Sequence, residues 1–495
     1  MRIGVEETRS CVLGIDLGTS AVKLVAVSLD SRVMATAREK YATISTSTGQ
    51  AEQDPEHWLK GLSLAAKKIR SRLSRKVMIE ALALTGQMPT LVAMGGRKPI
   101  GPAITWQDSR ADQWVGERVD HRLRREIYLK TGVPIDGRYL APMFQFHYGS
   151  KPQRANLILS AKDFLFHTLT GSAITDPSTA AGYGLYNLRR NAWDRELCNF
   201  WGVSLEHLPC IKSSSFSAPL SKRGSQLLGC KPATPVVLGC ADSVAGAHAI
   251  SRGQEDLHTA IILTGSSTVI LKCDAGPRCD GQSRYLVTPL AKDGMYAREA
   301  DLLASGSARD WAAAVLERGG KTTKKSIWDL AYRVTPGADG LLFAPFLAGG
   351  EQGILWNPSL RGTISGLTLT HDGAKIARAL LEGMCFEIRR CLEVLEEEAP
   401  LSSTRLAGWM AEIPQQSQLL ADILGQPVDA FRLSSASAVG AALLSGLIDR
   451  KKYFNRTKAI VFRPSQKKVL YDVLYAKYTA QFPAAAASAT PDESA

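Results

Sequence analysis

Residues 11–29, CVLGIDLGTSAVKLVAVSL, set an apolar, β-branched run on each side of a short turn holding Gly18, Thr19 and Ser20. Val and Ile favour pleated, packed backbone, so the segment reads as a buried hairpin. A second unit of the same design, AIILTGSSTVILK, stands at 260–272, about half a chain further on. Such a recurrence points to two related halves. The length agrees, because 495 residues exceed what one hydrophobic core organises. The hairpins alone leave their tips unexplained: Asp16, Thr19 and Ser20 at one, Ser266 and Ser267 at the other.

Between and after the hairpins, strand-like runs alternate with helical patterns. EALALTGQ (80–87) and PAITWQD (102–108) read as buried strands ending in polar residues, and 111–130 and 155–169 as helices. TPVVLGCADSVAGAHAIS (234–251) reads as a strand, then Asp242, then a helix of small residues. Further helices are expected at 305–318, 373–398, 415–425 and in ASAVGAALLSG (436–446), whose small side chains suit close packing. This alternation predicts α/β layers. The expected organisation is an N-terminal extension at 1–10, a first domain at 11–252 and a second at 253–480, with the boundary in the polar SRGQEDLH. A disordered tail over 481–495 ends in the low-complexity PAAAASATPDESA.

The net charge is +13, from 60 Lys and Arg against 47 Asp and Glu. The basic residues are dispersed, and the densest runs, starting at Lys321 and Arg450, lack a nucleic-acid motif. They read as solvated faces, and nucleic acid is not an expected partner. With no apolar window of about 18 residues, a membrane span is not expected either. MRIGVEETRS lacks the apolar centre of a signal peptide. Nine scattered cysteines form no C-x-x-C pair. Reduced thiols in a cytoplasmic protein account for them.

Several stretches carry chemistry. In Asp16-Leu-Gly-Thr-Ser, a turn at Gly18 can aim backbone N–H groups at a phosphate, and Thr19 and Ser20 add hydroxyls. Asp16 could hold Mg²⁺ through water, since hard carboxylate oxygens suit that ion; equally, the glycine and hydroxyls could merely shape a hairpin. Gly265-Ser266-Ser267 repeats the pattern, so two hydroxyl-lined turns could clamp a polyphosphate. Asp242 opens a helix after PVVLGC. It could be an N-cap, or the general base that takes a proton from a hydroxyl attacking a γ-phosphate. Trp106-Gln-Asp-Ser-Arg110 ends a strand, as Gln87 and Met88 end its neighbour. Asp108 and Arg110 could bind a polyol there, or Asp108 or Ser109 could cap a helix over 110–119.

In order and spacing these segments resemble the FGGY carbohydrate kinases, within the actin–Hsp70–sugar kinase superfamily, over roughly residues 12–448. The similar stretches are GIDLGTSAVK (14–23), EQDPEHW (52–58), TGQM (85–88), WQDSR (106–110), TDPSTAAGYGLYN (175–187), GCADSVAGA (239–247), GSS (265–267), ASGSARDW (304–311), FLAGGE (346–351), WNPSLRG (356–362) and ARALLEGMCFEIR (377–389). Xylulokinases look nearest because of GQM and EQDP. The resemblance implies two ribonuclease-H-like domains around a cleft, and an ATP- and Mg²⁺-dependent kinase of a small ketose or polyol, D-xylulose or a related pentulose. It implies Asp242 as the base and Asp16 as the Mg²⁺ organiser. Thr19, Ser20, Gly265 and Ser266 then lie near the phosphates, Gln87, Met88 and Asp108 at the sugar, and Gly408 and Ala411 beside the nucleotide. The partners are the sugar and ATP, with a homodimer left open.

The chain also departs from that pattern. Xylulokinases commonly read Q-M-H-G where this chain has Gln87-Met88-Pro89-Thr90, and Pro89 offers neither an imidazole nor a backbone N–H. A usual G-G-G-A is Gly408-Trp409-Met410-Ala411, Met143 stands where a lysine is usual, and Glu351-Gln-Gly-Ile-Leu replaces ERTPH. These changes admit two other readings. One is a kinase of another polyol or an acid sugar; the other is a pseudokinase that binds sugar or nucleotide without turnover.

Overall fold

The computed structural model describes residues 10–483 apart from 47, 75, 152–153, 253–256, 318–325, 349–352, 358 and 399. Residues 1–9 of the extension, the tail beyond 483, the centre of SRGQEDLH, the run at Lys321, and Glu351 with its neighbours lie outside the described residues. The chain divides into two compact units. The first comprises Met1–Gly253, Asp274–Ala297 and Ser434–Lys458; the second comprises Gln254–Cys273, Arg298–Leu433 and Ala459–Ala495.

In the first unit the hairpin forms as expected. Strand Ser10–Leu17 pairs antiparallel with Ala21–Ser28, which pairs with Val33–Lys40. On its other side Ser10–Leu17 runs parallel to Met78–Gly86, and that strand runs parallel to Pro235–Ala241. Ser10–Leu17 is buried almost throughout, which is why it reads as a continuous apolar run and not as an alternation. Helix Pro55–Arg72 covers one face with Trp58, Leu59, Leu62, Ala65, Ala66 and Ile69, at helical spacing. Asp54 caps its N-terminus by accepting the Glu56 N–H, and Pro55 opens its first turn.

Helix Ala436–Leu443 reaches this unit from the far end of the chain. A Cβ on Gly14 would lie 1.9 Å from the Ala438 carbonyl oxygen, so that helix rests directly on the first strand. A Cβ on Gly440 would lie 1.7 Å from the Ala245 carbonyl oxygen, so it also rests on helix Asp242–Ile250. Small side chains permit both approaches, as the sequence pattern suggests. The sequence reading, however, left this helix with the second domain.

The second unit repeats the hairpin. Thr259–Thr264 pairs antiparallel with Thr268–Asp274 and parallel with Ser403–Gly408, which is parallel to Val428–Phe431. Tyr296–Leu302 lies beyond Thr268–Asp274. Setting aside short edge strands, both sheets run third, second, first, fourth, fifth in chain order. The fold is therefore α/β, with the ribonuclease-H-like arrangement present twice.

Two helical expectations need correction. The span 111–130 is broken into Asp112–Gly116 and His121–Thr131, because Asp120 caps a new helix by accepting the Leu123 N–H. The span 155–169 begins with strand Leu157–Ser160, paired antiparallel with Thr90–Gly95, before helix Ala161–Thr170 starts at the Ser160 cap.

Candidate functional site

Parallel pairing sets the first unit's site. Asp16 is in register with Thr85, Leu17 with Gly86, and Gly86 with Ala241. The carboxyl ends of these strands thus lie side by side, and the chain leaves them at Gly18, Gln87 and Asp242. In α/β sheets this edge is where ligands bind.

Asp16 is buried, and its Oδ2 accepts from Lys23 Nζ at 3.2 Å across the hairpin. Its Oδ1 is buried and has no hydrogen-bond partner among the described residues. The Lys23 ammonium is held above its ordinary range mainly by Asp16, with Asp242 adding to the effect. Burial, reinforced by Asp16 and Asp242, pushes the Tyr41 phenol upward. Tyr41 donates its hydroxyl to the Gly18 carbonyl. Asp16, Lys23, Tyr41 and Asp242 therefore share one electrostatic neighbourhood. Asp242 is not an N-cap: Ala241 holds that position, and Asp242 is the first helical residue, its Oδ1 accepting the Ser243 N–H at 2.9 Å. An anion there is favoured by the helix dipole.

EQDPEHW resolves into separate tasks. Gln53 joins the turn to the strand ends: its Nε2 donates to the Thr19 carbonyl at 2.6 Å, and its Oε1 accepts from Trp58 Nε1 and Gln87 Nε2, each at 2.9 Å. Gln87 Oε1 is buried without a partner among the described residues. The side chain of Met88 lies against Gly182 and packs on Cys240, Ala241 and Val244, beside the start of the Asp242 helix. Trp106 Nε1 donates to Thr19 Oγ1 at 3.1 Å, while Ser20 is exposed at the tip.

Asp108 is placed differently from expectation. It is buried, and its oxygens accept from the Ala51 N–H at 2.8 Å and from Arg110 Nη2 at 2.7 Å. Arg110 Nη2 also reaches Glu52 Oε1 at 2.6 Å. Burial works against the guanidinium's charge, yet these hydrogen bonds outweigh it and keep the Arg110 pKa above its ordinary value. Asp108 thus holds Arg110 and the neighbouring strand, and starts no helix. Burial, followed by the nearby Arg110 charge, lowers the His147 pKa. Met143 is buried in an apolar cluster with Leu140 and Phe144, so its replacement of a lysine falls inside the core.

In the second unit, Gly265 and Ser266 are exposed at the tip of their hairpin. Their carbonyls accept the N–H groups of Gly306 at 3.1 Å and Ser305 at 2.9 Å, which seats the start of helix Gly306–Leu316 on the turn. Thr264 is in register with Gly408, whose φ of 95° brings its Cα against the Thr264 carbonyl. Met410 donates its N–H to Thr264 Oγ1 at 3.0 Å. Ala411, expected beside the nucleotide, is fully buried together with Met410. Their segment turns into helix Trp409–Glu412, where Gly408 and Trp409 are half-buried and Glu412 is exposed. The Trp409 ring meets Arg309 at 5.2 Å and Ser305 Oγ at 3.4 Å. Lys23, Tyr41 and Gln53 carry no signature in isolation; only the hairpin register and the EQDP stretch could have pointed to them.

A twofold ribonuclease-H-like fold with hydroxyl-lined turns and a carboxylate pair at the strand ends defines a sugar-kinase type of protein. The family descriptions "FGGY family of carbohydrate kinases, N-terminal domain" and "C-terminal domain" match residues 11–249 and 260–447, and the chain belongs to that family. It is 27% identical over 454 residues to a gluconokinase of Bacillus subtilis, covering 88% of this chain and 87% of that one. It is 26% identical over 486 residues to a xylulose kinase of Lactococcus lactis, covering 94% and 95%. Among solved structures, a gluconate kinase from Lactobacillus acidophilus superposes with a TM-score of 0.86 at 25% identity, covering 97% of this chain and 99% of that one. Among the described residues, no helix is long and apolar enough to cross a membrane.

Proposed function

We propose that this carbohydrate kinase transfers the γ-phosphoryl group of ATP to a neutral ketose or polyol, with D-xylulose or a related pentulose as the first candidate. The observation that carries this reading is the alignment of strand ends, which gathers Asp16, Lys23 and Asp242 at one edge of the sheet. Asp242 accepts the proton of the attacking hydroxyl as the phosphorus–oxygen bond forms. The buried Asp16 Oδ1, without a partner among the described residues, suits a water of a hydrated Mg²⁺, an ion that keeps several waters and takes few carboxylates. Bound there with ATP, Mg²⁺ would neutralise charge on the phosphates. In this reading the first unit offers the Gly18–Ser20 turn to phosphate and Gln87 and Met88 to the sugar, and the second unit offers Gly265, Ser266, Gly408 and Trp409 to the nucleotide.

Charge supports a neutral acceptor. Arg110 is shared by two carboxylates, Asp108 and Glu52, which leaves that corner net negative. If the acceptor binds beside this corner, a carboxylate of its own coming within about 5 Å of the excess charge would be opposed by about 3 kcal/mol at an effective dielectric of about 20. Coupled ADP release tests this with ATP-Mg²⁺ and a panel of pentuloses, tetritols, glycerol and gluconate. Turnover is expected with a neutral acceptor, at least about 100-fold weaker with gluconate, and lost in Asp242→Asn. Gluconate as the best substrate would refute the charge argument. Nucleotide binding without turnover on any acceptor would favour the pseudokinase reading.

A further inference from the structure

Behind Asp242 lies a buried ionic cluster that the reaction itself does not use. Lys162, Asp163 and Asp176 are almost wholly inaccessible. Lys162 Nζ lies 2.8 Å from Asp163 Oδ1 and 3.1 Å from Asp176 Oδ1. Burial opposes the Lys162 charge, but Asp163 and Asp176 outweigh it and hold its pKa above the usual value. Tyr183 donates its hydroxyl to Asp163 Oδ2 at 3.2 Å. The other Asp176 oxygen, Oδ2, accepts the hydroxyl and the N–H of Ser178 and, at 3.4 Å, the hydroxyl of Ser214. With its proton committed to Asp176, Ser178 Oγ presents a lone pair, and the Ala241 N–H donates to it at 2.9 Å.

That last bond falls at the sheet's end, where Ala241 is still in register with Gly86 but the backbone partners on its other side, the Phe216 and Ser214 carbonyls, reach only Leu238 and Gly239. Strand Ser217–Pro219 flanks Pro235–Ala241 only as far as Val237. Beyond it the register with Met78–Gly86 slips between Val237 and Cys240. Gly239 turns to a φ of 69°, where a Cβ would lie 1.5 Å from the Leu84 carbonyl oxygen. The irregular strand end is then pinned on both sides. Thr85 Oγ1 donates to the Cys240 carbonyl at 2.7 Å, and Ser178 receives the Ala241 N–H. The next residue is Asp242. Burying charges is costly, and removing one partner of a buried pair costs more than the pair gains. Here the cluster fixes the hydroxyl that holds the last backbone group before the general base.

We propose that Ser178, oriented by Asp176 and Lys162, is a positioning residue that sets the Asp242 carboxylate at the start of its helix. This inference rests on the assignment of Asp242 as the base. Displacement of a reacting group by about 1 Å can cost about 100-fold in rate. Loss of the Ser178 hydroxyl should therefore act on kcat and leave the binding of sugar and nucleotide in place.

The test compares the wild type, Asp242→Asn, Ser178→Ala and Ser178→Thr in coupled ADP release. Turnover is expressed per nucleotide-competent site, counted by calorimetric titration, so that unfolded protein is discounted. Ser178→Ala is expected to lower kcat at least 10-fold, with both KM values within two-fold of the wild type. Ser178→Thr, which restores the hydroxyl, is expected to recover most of that loss. Should Ser178→Ala fail to fold, Asp176→Asn replaces it, with kcat expected to fall in the same way. Per-site turnover of Ser178→Ala within two-fold of the wild type, beside an inactive Asp242→Asn, overturns this inference and leaves the kinase reading standing. A wild type without sugar-dependent turnover overturns both.

Discussion

Replacing Gly440 by Ala sets two physical arguments against each other. On helix propensity alone the change should stabilise helix Ala436–Leu443 by about 1 kcal/mol. The packing says otherwise. The new Cβ would lie 1.7 Å from the Ala245 carbonyl oxygen and 2.6 Å from its carbon, both rigid backbone atoms. Carbon and carbonyl oxygen rest at about 3.3 Å, so the two helices must separate by about 1.5 Å. Overpacking of this kind costs about 3 kcal/mol, because interdigitated contacts on both helices are lost together. The net expectation is a loss of about 2 kcal/mol, or roughly 2–4 °C in melting temperature for a unit of this size. Helix Asp242–Ile250 is the element pushed, so turnover should fall by about 10- to 100-fold even in protein that stays folded. Calorimetric melts and steady-state kinetics read the two effects. Ser437→Ala, in the same helix, serves as control and should shift the melt by less than about 1 °C. Should Gly440→Ala match or exceed the wild-type melting temperature with undiminished kcat, the close approach of these helices is wrong.

Two further outcomes follow from buried ionisable groups. Burial, followed by the Arg450 charge, lowers the His248 pKa to about 3, so the folded protein keeps His248 neutral where the unfolded chain protonates it below about pH 6.5. The unfolded state then binds the extra proton, and stability drains away as pH falls from about 6.5 toward 3. With allowance for partial solvent access, about 1 kcal/mol should be lost between pH 7 and 5, and His248→Gln should remove that slope from pH-dependent denaturation. Tyr478→Phe takes a 2.7 Å hydrogen bond from the buried Glu387, whose pKa burial already raises. Urea unfolding at pH 7 should show a loss of about 2 kcal/mol, and the gap to wild type should shrink in acid as Glu387 takes up a proton.

What could be read from the sequence follows how local each signal is. Both hairpins, and the strand before Asp242 and its helix, are specified by neighbouring residues. They appear in the structure where the pattern placed them. Helix Ala161–Thr170 was recognisable too, but the strand before it was not, since LILS becomes a strand only by pairing with Thr90–Gly95. The site shows the same division. Asp16 and Asp242 were singled out from their own surroundings. Asp108 looked available for a ligand because one of its partners, the Ala51 N–H, lies more than fifty residues away, as does Glu52, which shares Arg110 with it. Ala411 looked surface-bound because the inward turn at Gly408 depends on pairing with Thr264. The cluster at Lys162 and Asp176 joins an apparently ordinary helix to a separate cap, and no periodicity announces it.

The return of helix Ala436–Leu443 to the first strand also imposes an order in time. Ser10–Leu17 leaves the ribosome about 420 residues before the helix that rests on Gly14. At about 5–20 residues per second, the first sheet spends tens of seconds with that face uncovered. Throughout that interval an apolar surface built of strands is open to solvent and to other nascent chains. The first unit therefore cannot mature as a co-translational module. It is completed only when the second unit's sequence has been made, so folding yield in the cell should depend on chaperone cover more than the stability of the finished protein would suggest.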